Sequence, residues 1–126
     1  MPHSILIVDD SVSVRRMLRS LLETRPEYHV CGEAENGQIA VQKVEELRPD
    51  VVILDLQMPV MDGLQAARHI TALAPQTTIL MLTVQSSEPL RRDAFANGIR
   101  AVLSKTEAVE LNLLAALENA RTSRGS

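Results

Sequence analysis

A chain of 126 residues, 45% hydrophobic and 23% charged, fits one ordinary globular domain that buries about two-thirds of its unfolded surface. Only Tyr28 and Phe95 are aromatic, which excludes a base-stacking platform, and a net charge of −3 excludes a basic nucleic-acid-binding domain. The single cysteine, Cys31, excludes an internal disulfide and points to a reducing, cytoplasmic setting.

The first apolar run, Ile5-Leu6-Ile7-Val8, has the length of a strand buried on both faces and ends in two aspartates. It is too short for a signal-peptide core or a membrane span. Val14, Met17, Leu18, Leu21 and Leu22 then recur at helical spacing until Pro26. His29 to Ala34 reads as a weaker strand, and after Asn36-Gly37 a stripe at Ala40, Val44 and Leu47 predicts a second helix, broken by Pro49. Val51 to Leu54 is the next buried run. Pro59 and Asp62-Gly63 mark a loop, and Leu64, Ala67, Ile70 and Leu73 form a third helical stripe that Pro75 stops. Thr77 to Thr83 predicts another inner strand. Ser87-Glu88-Pro89 starts a fourth helix, with Leu90, Ala94 and Phe95 expected to face inward and Asn97-Gly98 to end it. Ile99 to Leu103 is the last strand, and Val109, Leu113 and Leu117 carry the last helix.

Five strand–helix units joined by connections too long for hairpins imply an α/β fold, a parallel sheet with helices on both faces and right-handed crossovers. Residues 1–120 are read as one domain, and residues 121–126 as a polar tail, expected to fray, or the start of a linker. His3, His29 and His69 lack metal-ligand spacing and are read as surface or edge residues. Cys31 is read as a small core residue. Met58 and Met61 are read as packing or partner-facing rather than as ligands.

In such sheets the ligand site lies beyond the carboxyl ends of the strands, where the strand order reverses. Asp9 and Asp10 follow the first strand, Asp55 the third, Thr83 ends the fourth, and Lys105 follows the fifth. Singly these are ordinary: an Asp-Asp pair caps helices, a threonine suits a strand, and a lysine is a solvated charge. Together they place three carboxylates, a hydroxyl and an ammonium on one edge. Crowded carboxylates repel one another, and the natural remedy is a hard divalent cation such as Mg²⁺. Lys105 and Thr83 would face the remaining oxygens of a phosphoryl group, and an aspartate in such a cluster can act as nucleophile to form an aspartyl phosphate.

The stretches Val8-Asp9-Asp10 and Leu54-Asp55-Leu56-Gln57-Met58-Pro59-Val60-Met61-Asp62-Gly63, with Thr83 and Lys105, resemble the receiver domain of two-component response regulators, over residues 4 to about 120. The resemblance implies a flavodoxin-like (βα)5 doubly wound sandwich with strand order 2-1-3-4-5. It implies Asp55 as phosphoacceptor, and a Mg²⁺ (or Mn²⁺) held by Asp10 directly, Asp9 mostly through water, Asp55, and the backbone carbonyl of Gln57. It implies that Thr83 contacts the phosphoryl group and moves, and that Lys105 pairs with it. The implied partners are a sensor histidine kinase or phosphotransfer protein, an output domain or partner protein, and a second copy on phosphorylation. Direct nucleic-acid binding and membrane association are not expected of this domain. It is expected to be a signalling module rather than an enzyme, catalysing only its own phosphorylation and dephosphorylation.

The alternative reading is the receiver part of a helix-turn-helix transcription regulator, since Gly98 to Leu117 resembles the NarL/FixJ branch. No DNA-binding segment is legible within the 126 residues. A haloacid-dehalogenase-like phosphatase is remote: it needs a second aspartate two residues after the nucleophile, where Gln57 stands. A flavodoxin-like FMN binder is disfavoured because Asp9 and Asp10 would repel its phosphate. Three positions depart from the commonest receiver pattern. Val84 stands where Ala, Ser or Gly is usual and is expected to narrow access to the acceptor. Thr106 stands where many receivers have Pro, leaving the geometry of the Lys105–Thr106 bond open. Val102 stands where Tyr or Phe often swings inward, and valine, stiff and ringless, cannot perform that motion; its bland alternative is simple surface packing.

Overall fold

The computed structural model describes residues 2–85 and 87–124. Ten elements alternate along the chain: β1 (His3–Val8), α1 (Val12–Glu23), β2 (Tyr28–Ala34), α2 (Gly37–Leu47), β3 (Val51–Leu54), α3 (Gly63–Leu73), β4 (Thr78–Thr83), α4 (Glu88–Ala96), β5 (Ala101–Ser104) and α5 (Val109–Arg124). The strands form one parallel sheet in the order β2-β1-β3-β4-β5, the flavodoxin-like arrangement expected from the sequence.

Continuous apolar strands follow from burial on both faces. Successive strand residues point to opposite sides of the sheet. Leu6, Val8, Val52, Leu54, Ile79 and Met81 pack with Ala40 and Val44 of α2, Ala66, Ala67 and Ile70 of α3, and Ala94 of α4. Their neighbours Ile5, Ile7, Val51, Ile53, Leu80 and Leu82 point the other way, onto Leu18 and Leu22 of α1 and Leu113 and Leu117 of α5. Neither face meets water along Ile5–Val8, Val51–Leu54 or Ile79–Leu82, and those stretches carry no polar residue.

The helix starts are capped by side chains. Ser11 accepts from the Val14 N–H, Asn36 from Ile39, Asp62 from Gln65 and Ser87 from Leu90. At α3 the Gln65 side chain also accepts from the Asp62 N–H, closing a capping box.

Several details differ from the sequence expectations. Phe95 is 51% exposed: Leu90 and Ala94 define the inward stripe of α4, and Phe95 lies a further 100° around the helix. Met17 sits next to the buried Leu18 and is turned outward for the same reason. Leu47, in the last turn of α2, is largely exposed but lies over Gly32, its Cδ1 3.0 Å from where a Cβ there would stand. Cys31 is only half-buried, its Sγ 3.4 Å from the Ile5 carbonyl oxygen. Ile99 is buried but precedes the strand proper, in a turn where Gly98 has φ +90° and no room for a Cβ beside Thr71. Val102 is buried against the α4 side of the sheet, which overturns the surface alternative. α5 continues as helix through Arg124, where a frayed polar tail was expected from residue 121; residues 125–126 of that tail lie outside the described residues.

Candidate functional site

β1 pairs with β2 on one side and β3 on the other, so the connections leaving β1 and β3 diverge and open a crevice at their carboxyl ends. The sheet hydrogen bonding runs one residue past the strands there. Asp9 N–H donates to the Ala34 carbonyl, Asp55 N–H to that of Val8, and Lys105 N–H to that of Thr83. The backbones of Asp9, Asp55 and Lys105 are therefore fixed by the sheet itself.

Asp9, Asp10 and Asp55 each offer a carboxylate oxygen, and these atoms lie within 4.8 Å of one another. Asp9 and Asp55 are buried, and Asp10 is exposed at the mouth. Lys105 Nζ reaches over from the fifth strand to Asp9 Oδ2 at 2.6 Å and Asp55 Oδ1 at 3.1 Å. The other Asp9 oxygen accepts from the Ser11 N–H at 2.9 Å, at the entrance to α1.

These contacts set the protonation chemistry. Burial pushes the Asp55 carboxyl above its usual range, the charge of Asp9 pushes the same way, and Lys105 only partly offsets them. Burial opposes charge on Lys105, yet its hydrogen bonds to Asp9 and Asp55 outweigh this and raise its pKa. Asp55 is thus a carboxylate poorly served by its surroundings and in need of another cation.

The donor set fits a divalent one. Three carboxylates less one ammonium leave a formal charge of −2, all donors are hard oxygens, and the exposed Asp10 is open to a hydrated ion. The site as built is two positive charges short.

The remaining predicted residues are placed less directly. Thr83 is buried at the end of β4, and its hydroxyl accepts from the Gln85 N–H at 3.2 Å rather than meeting the carboxylates. Gln57 is exposed in the loop after β3. That loop is held at both ends: the Gly63 N–H donates to the Leu56 carbonyl at 2.7 Å, and the Gly37 N–H of α2 to that of Met61 at 3.1 Å. Between them Val60 adopts φ +71°, a left-handed conformation that is a genuine outlier for a β-branched residue. Asp62 is spent on its helix cap. The Lys105–Thr106 bond is trans, and the Ser104 hydroxyl closes the turn by accepting from the Thr106 and Glu107 N–H groups.

Val84, expected to narrow access to Asp55, is 64% exposed and also lines a groove of about 590 Å³ between α4 and β5, together with Arg91, Phe95, Val102 and Thr106. One residue of the site escaped the sequence reading. Arg15, on α1, donates from Nη1 to the Asp9 carbonyl at 2.6 Å. The available signal was an arginine one turn after a capping serine, with Glu33 near the end of the adjoining strand.

Comparison with known proteins gives a consistent result. A family model described as the response regulator receiver domain matches residues 5–118. The transcriptional regulatory protein YdfI of Bacillus subtilis is 39% identical over 108 residues, which cover 86% of this chain and 50% of YdfI. The chain thus spans about half the length of that relative. The chemotaxis protein CheY of Listeria monocytogenes is 36% identical over 116 residues, covering 92% of this chain and 96% of that protein. Among solved structures, a chain of the CheX–CheY–BeF3–Mg²⁺ complex from Borrelia burgdorferi superposes with a TM-score of 0.88 at 26% identity, covering 94% of this chain and 89% of its counterpart.

Proposed function

The chain belongs to the response regulator receiver domain family, and on that premise we propose that it is a switch set by phosphorylation of Asp55. The observation that carries the reading is Lys105 Nζ bridging Asp9 and Asp55, with a third carboxylate within 4.8 Å, at the point where the strand order reverses. The Borrelia relative, solved with BeF3 and Mg, supports it.

An Asp55 Oδ attacks the phosphorus of a phosphohistidine on a sensor kinase or phosphotransfer protein. The P–N bond breaks in line and the imidazole departs with its electron pair. Asp10, Asp55 and the Gln57 carbonyl, with Asp9 mostly through water, would hold Mg²⁺ or Mn²⁺, and the ion would supply charge neutralisation for the phosphoryl oxygens. Lys105 Nζ already lies 3.1 Å from Asp55 Oδ1 and follows the transferred group as an ion-pair partner. Water later hydrolyses the acyl phosphate, and Gln57, exposed in the loop after β3, influences how fast.

The readout starts at Thr83. Its hydroxyl is now held by the Gln85 N–H, so turning it toward a phosphoryl oxygen removes that acceptor and shifts the start of the β4–α4 connection. Val102, buried and aliphatic, has no ring to swing. The change therefore passes to the groove between α4 and β5 through Val84 and Phe95, both exposed on its walls. We assign the role of receiver to residues 1–120, acting in the cytoplasm on an output domain, a partner protein or a second copy. Similarity to YdfI favours, as a second reading, the receiver half of a transcription regulator.

The test is incubation with acetyl phosphate and Mg²⁺, and with a phosphorylated kinase, followed by intact-protein mass spectrometry. The wild type should gain one phosphoryl group and Asp55→Asn should gain none. Equal labelling of the two would end the assignment. Val84→Ala should label faster with acetyl phosphate, on the order of threefold, or less than 1 kcal/mol of barrier. An unchanged or slower rate would show that Val84 does not obstruct the acceptor.

A further inference from the structure

The β1–α1 turn carries two of the three carboxylates, and only Asp9 is held through its side chain, by Ser11 N–H and Lys105. Asp10 is exposed, so the aim of its carboxylate depends on the peptide beneath it. That peptide, between Asp9 and Asp10, is gripped at its carbonyl oxygen by Arg15 Nη1 at 2.6 Å. Arg15 is itself anchored. Its Nε donates to Glu33 Oε1 at 2.9 Å, and the other oxygen of Glu33 accepts from Arg19 Nε at 2.7 Å. Glu33 stands opposite Ile7 in the sheet, and its own carbonyl accepts from Lys43 Nζ at 2.5 Å. An Arg–Glu–Arg brace therefore ties α1 to the edge strand and ends on the Asp9–Asp10 peptide.

We propose that Arg15 is a positioning residue for the cation site, setting the direction of the Asp10 carboxylate through the Asp9–Asp10 peptide, with Glu33 acting through Arg15. The proposal rests on reading the three carboxylates as a Mg²⁺ site. It makes a prediction of unusual sign. If Arg15 acted only as a positive charge beside the carboxylates, removing it would tighten cation binding. Removing a positioning group does the opposite, because partners behind metal ligands commonly hold tenfold or more of the affinity.

Calorimetric titration of Mg²⁺ into the intact chain separates the two. Arg15→Ala should weaken Mg²⁺ binding about tenfold, Glu33→Gln by a smaller factor, and Arg15→Lys should recover part of the loss. Arg16→Ala, removing an exposed charge one residue away, should leave the affinity within about twofold or tighten it. In acetyl phosphate labelling, Arg15→Ala should need more Mg²⁺ for half-maximal rate yet reach the wild-type rate at saturation. Arg15→Ala binding Mg²⁺ as tightly as the wild type, or more tightly, would overturn the proposal alone. So would equal weakening by Arg16→Ala. A wild type that binds no Mg²⁺ would overturn the cation-site reading and this proposal with it. Should Arg15→Ala fail to fold, Arg15→Lys and Glu33→Gln carry the same comparison.

Discussion

Gly63→Ala is expected to destabilise the protein by about 3 kcal/mol and to slow labelling of Asp55. A Cβ at position 63 would stand 2.2 Å from the Asp55 carbonyl oxygen and 2.9 Å from the Leu56 Cα. Both are backbone atoms at the end of a central strand, and neither has a rotamer through which to yield. The Gly63 N–H also donates to the Leu56 carbonyl at 2.7 Å, and Asp62 caps the helix that begins here. Relief therefore requires α3 to back away from β3 or the Asp55 peptide to turn. Either loses packing at Ala66 and Ala67, and the second moves Asp55. The steric cost outweighs the roughly 0.4–1 kcal/mol that a Gly→Ala change returns through the unfolded chain. Gly32→Ala is the control: its new methyl group would meet only the Cδ1 atoms of Leu47, at 3.0 Å, and Leu6, at 3.4 Å. Urea denaturation should rank the wild type and Gly32→Ala close together and Gly63→Ala far below. A Gly63→Ala protein with wild-type stability and labelling would show that the α3–β3 approach is looser than described.

This contact shows where the sequence was legible and where it was not. Strands covered on both faces leave unbroken apolar runs, so Ile5–Val8, Val51–Leu54 and the run ending at Thr83 could be read without partners. Residues at strand ends could then be placed on one edge, because parallel strands all present the same end to it. That is why Asp9, Asp10, Asp55 and Lys105 were identified together. Helical periodicity is coarser. It finds the stripe of α4 but not its centre, and a large apolar Phe95 looked like core until Leu90 and Ala94 fixed the inward direction. Arg15 was invisible for another reason: its meaning lies in Glu33, 18 residues away on a neighbouring strand, and in a backbone carbonyl that no side-chain pattern records. Gly63 is similar. Its position in a motif is readable, but that a methyl group there would meet the backbone of Asp55 emerges only from the approach of α3 to β3.

Lys105→Met should have the other large effect, and it separates the structural from the chemical work of the lysine. In the wild type one ammonium serves two buried carboxylates, at 2.6 and 3.1 Å. Removing one partner from a buried ion pair typically costs about 3–5 kcal/mol, and the open mouth beside Asp10 places this case at about 3. The pH dependence has a definite sign in protein freed of divalent ions. Asp55 already binds its proton more tightly folded than unfolded, through burial and then Asp9. Over that window the native state holds more protons, so stability falls as pH rises from the ordinary carboxylate range toward neutrality. Without Lys105 the fall must steepen, because the group that partly restrained it is gone. The variant should therefore approach the wild type near pH 4 and fall furthest below it around pH 7. The raised pKa of Lys105 itself contributes stability lost only when pH passes above the usual lysine range, and it does not enter this window. Mg²⁺ adds the decisive comparison. At one hundred times its dissociation constant a bound ion stabilises by about 2.7 kcal/mol, and a cluster of formal charge −3 binds it more tightly than one of −2. Urea titrations with and without Mg²⁺ should show a larger Mg²⁺ gain for Lys105→Met than for the wild type, while the variant's labelling by acetyl phosphate stays depressed. A variant as stable as the wild type at neutral pH without Mg²⁺ would mean that Asp9 and Asp55 do not depend on the lysine. Full recovery of labelling by Mg²⁺ alone would instead mean that the ammonium stabilises the fold without following the phosphoryl group.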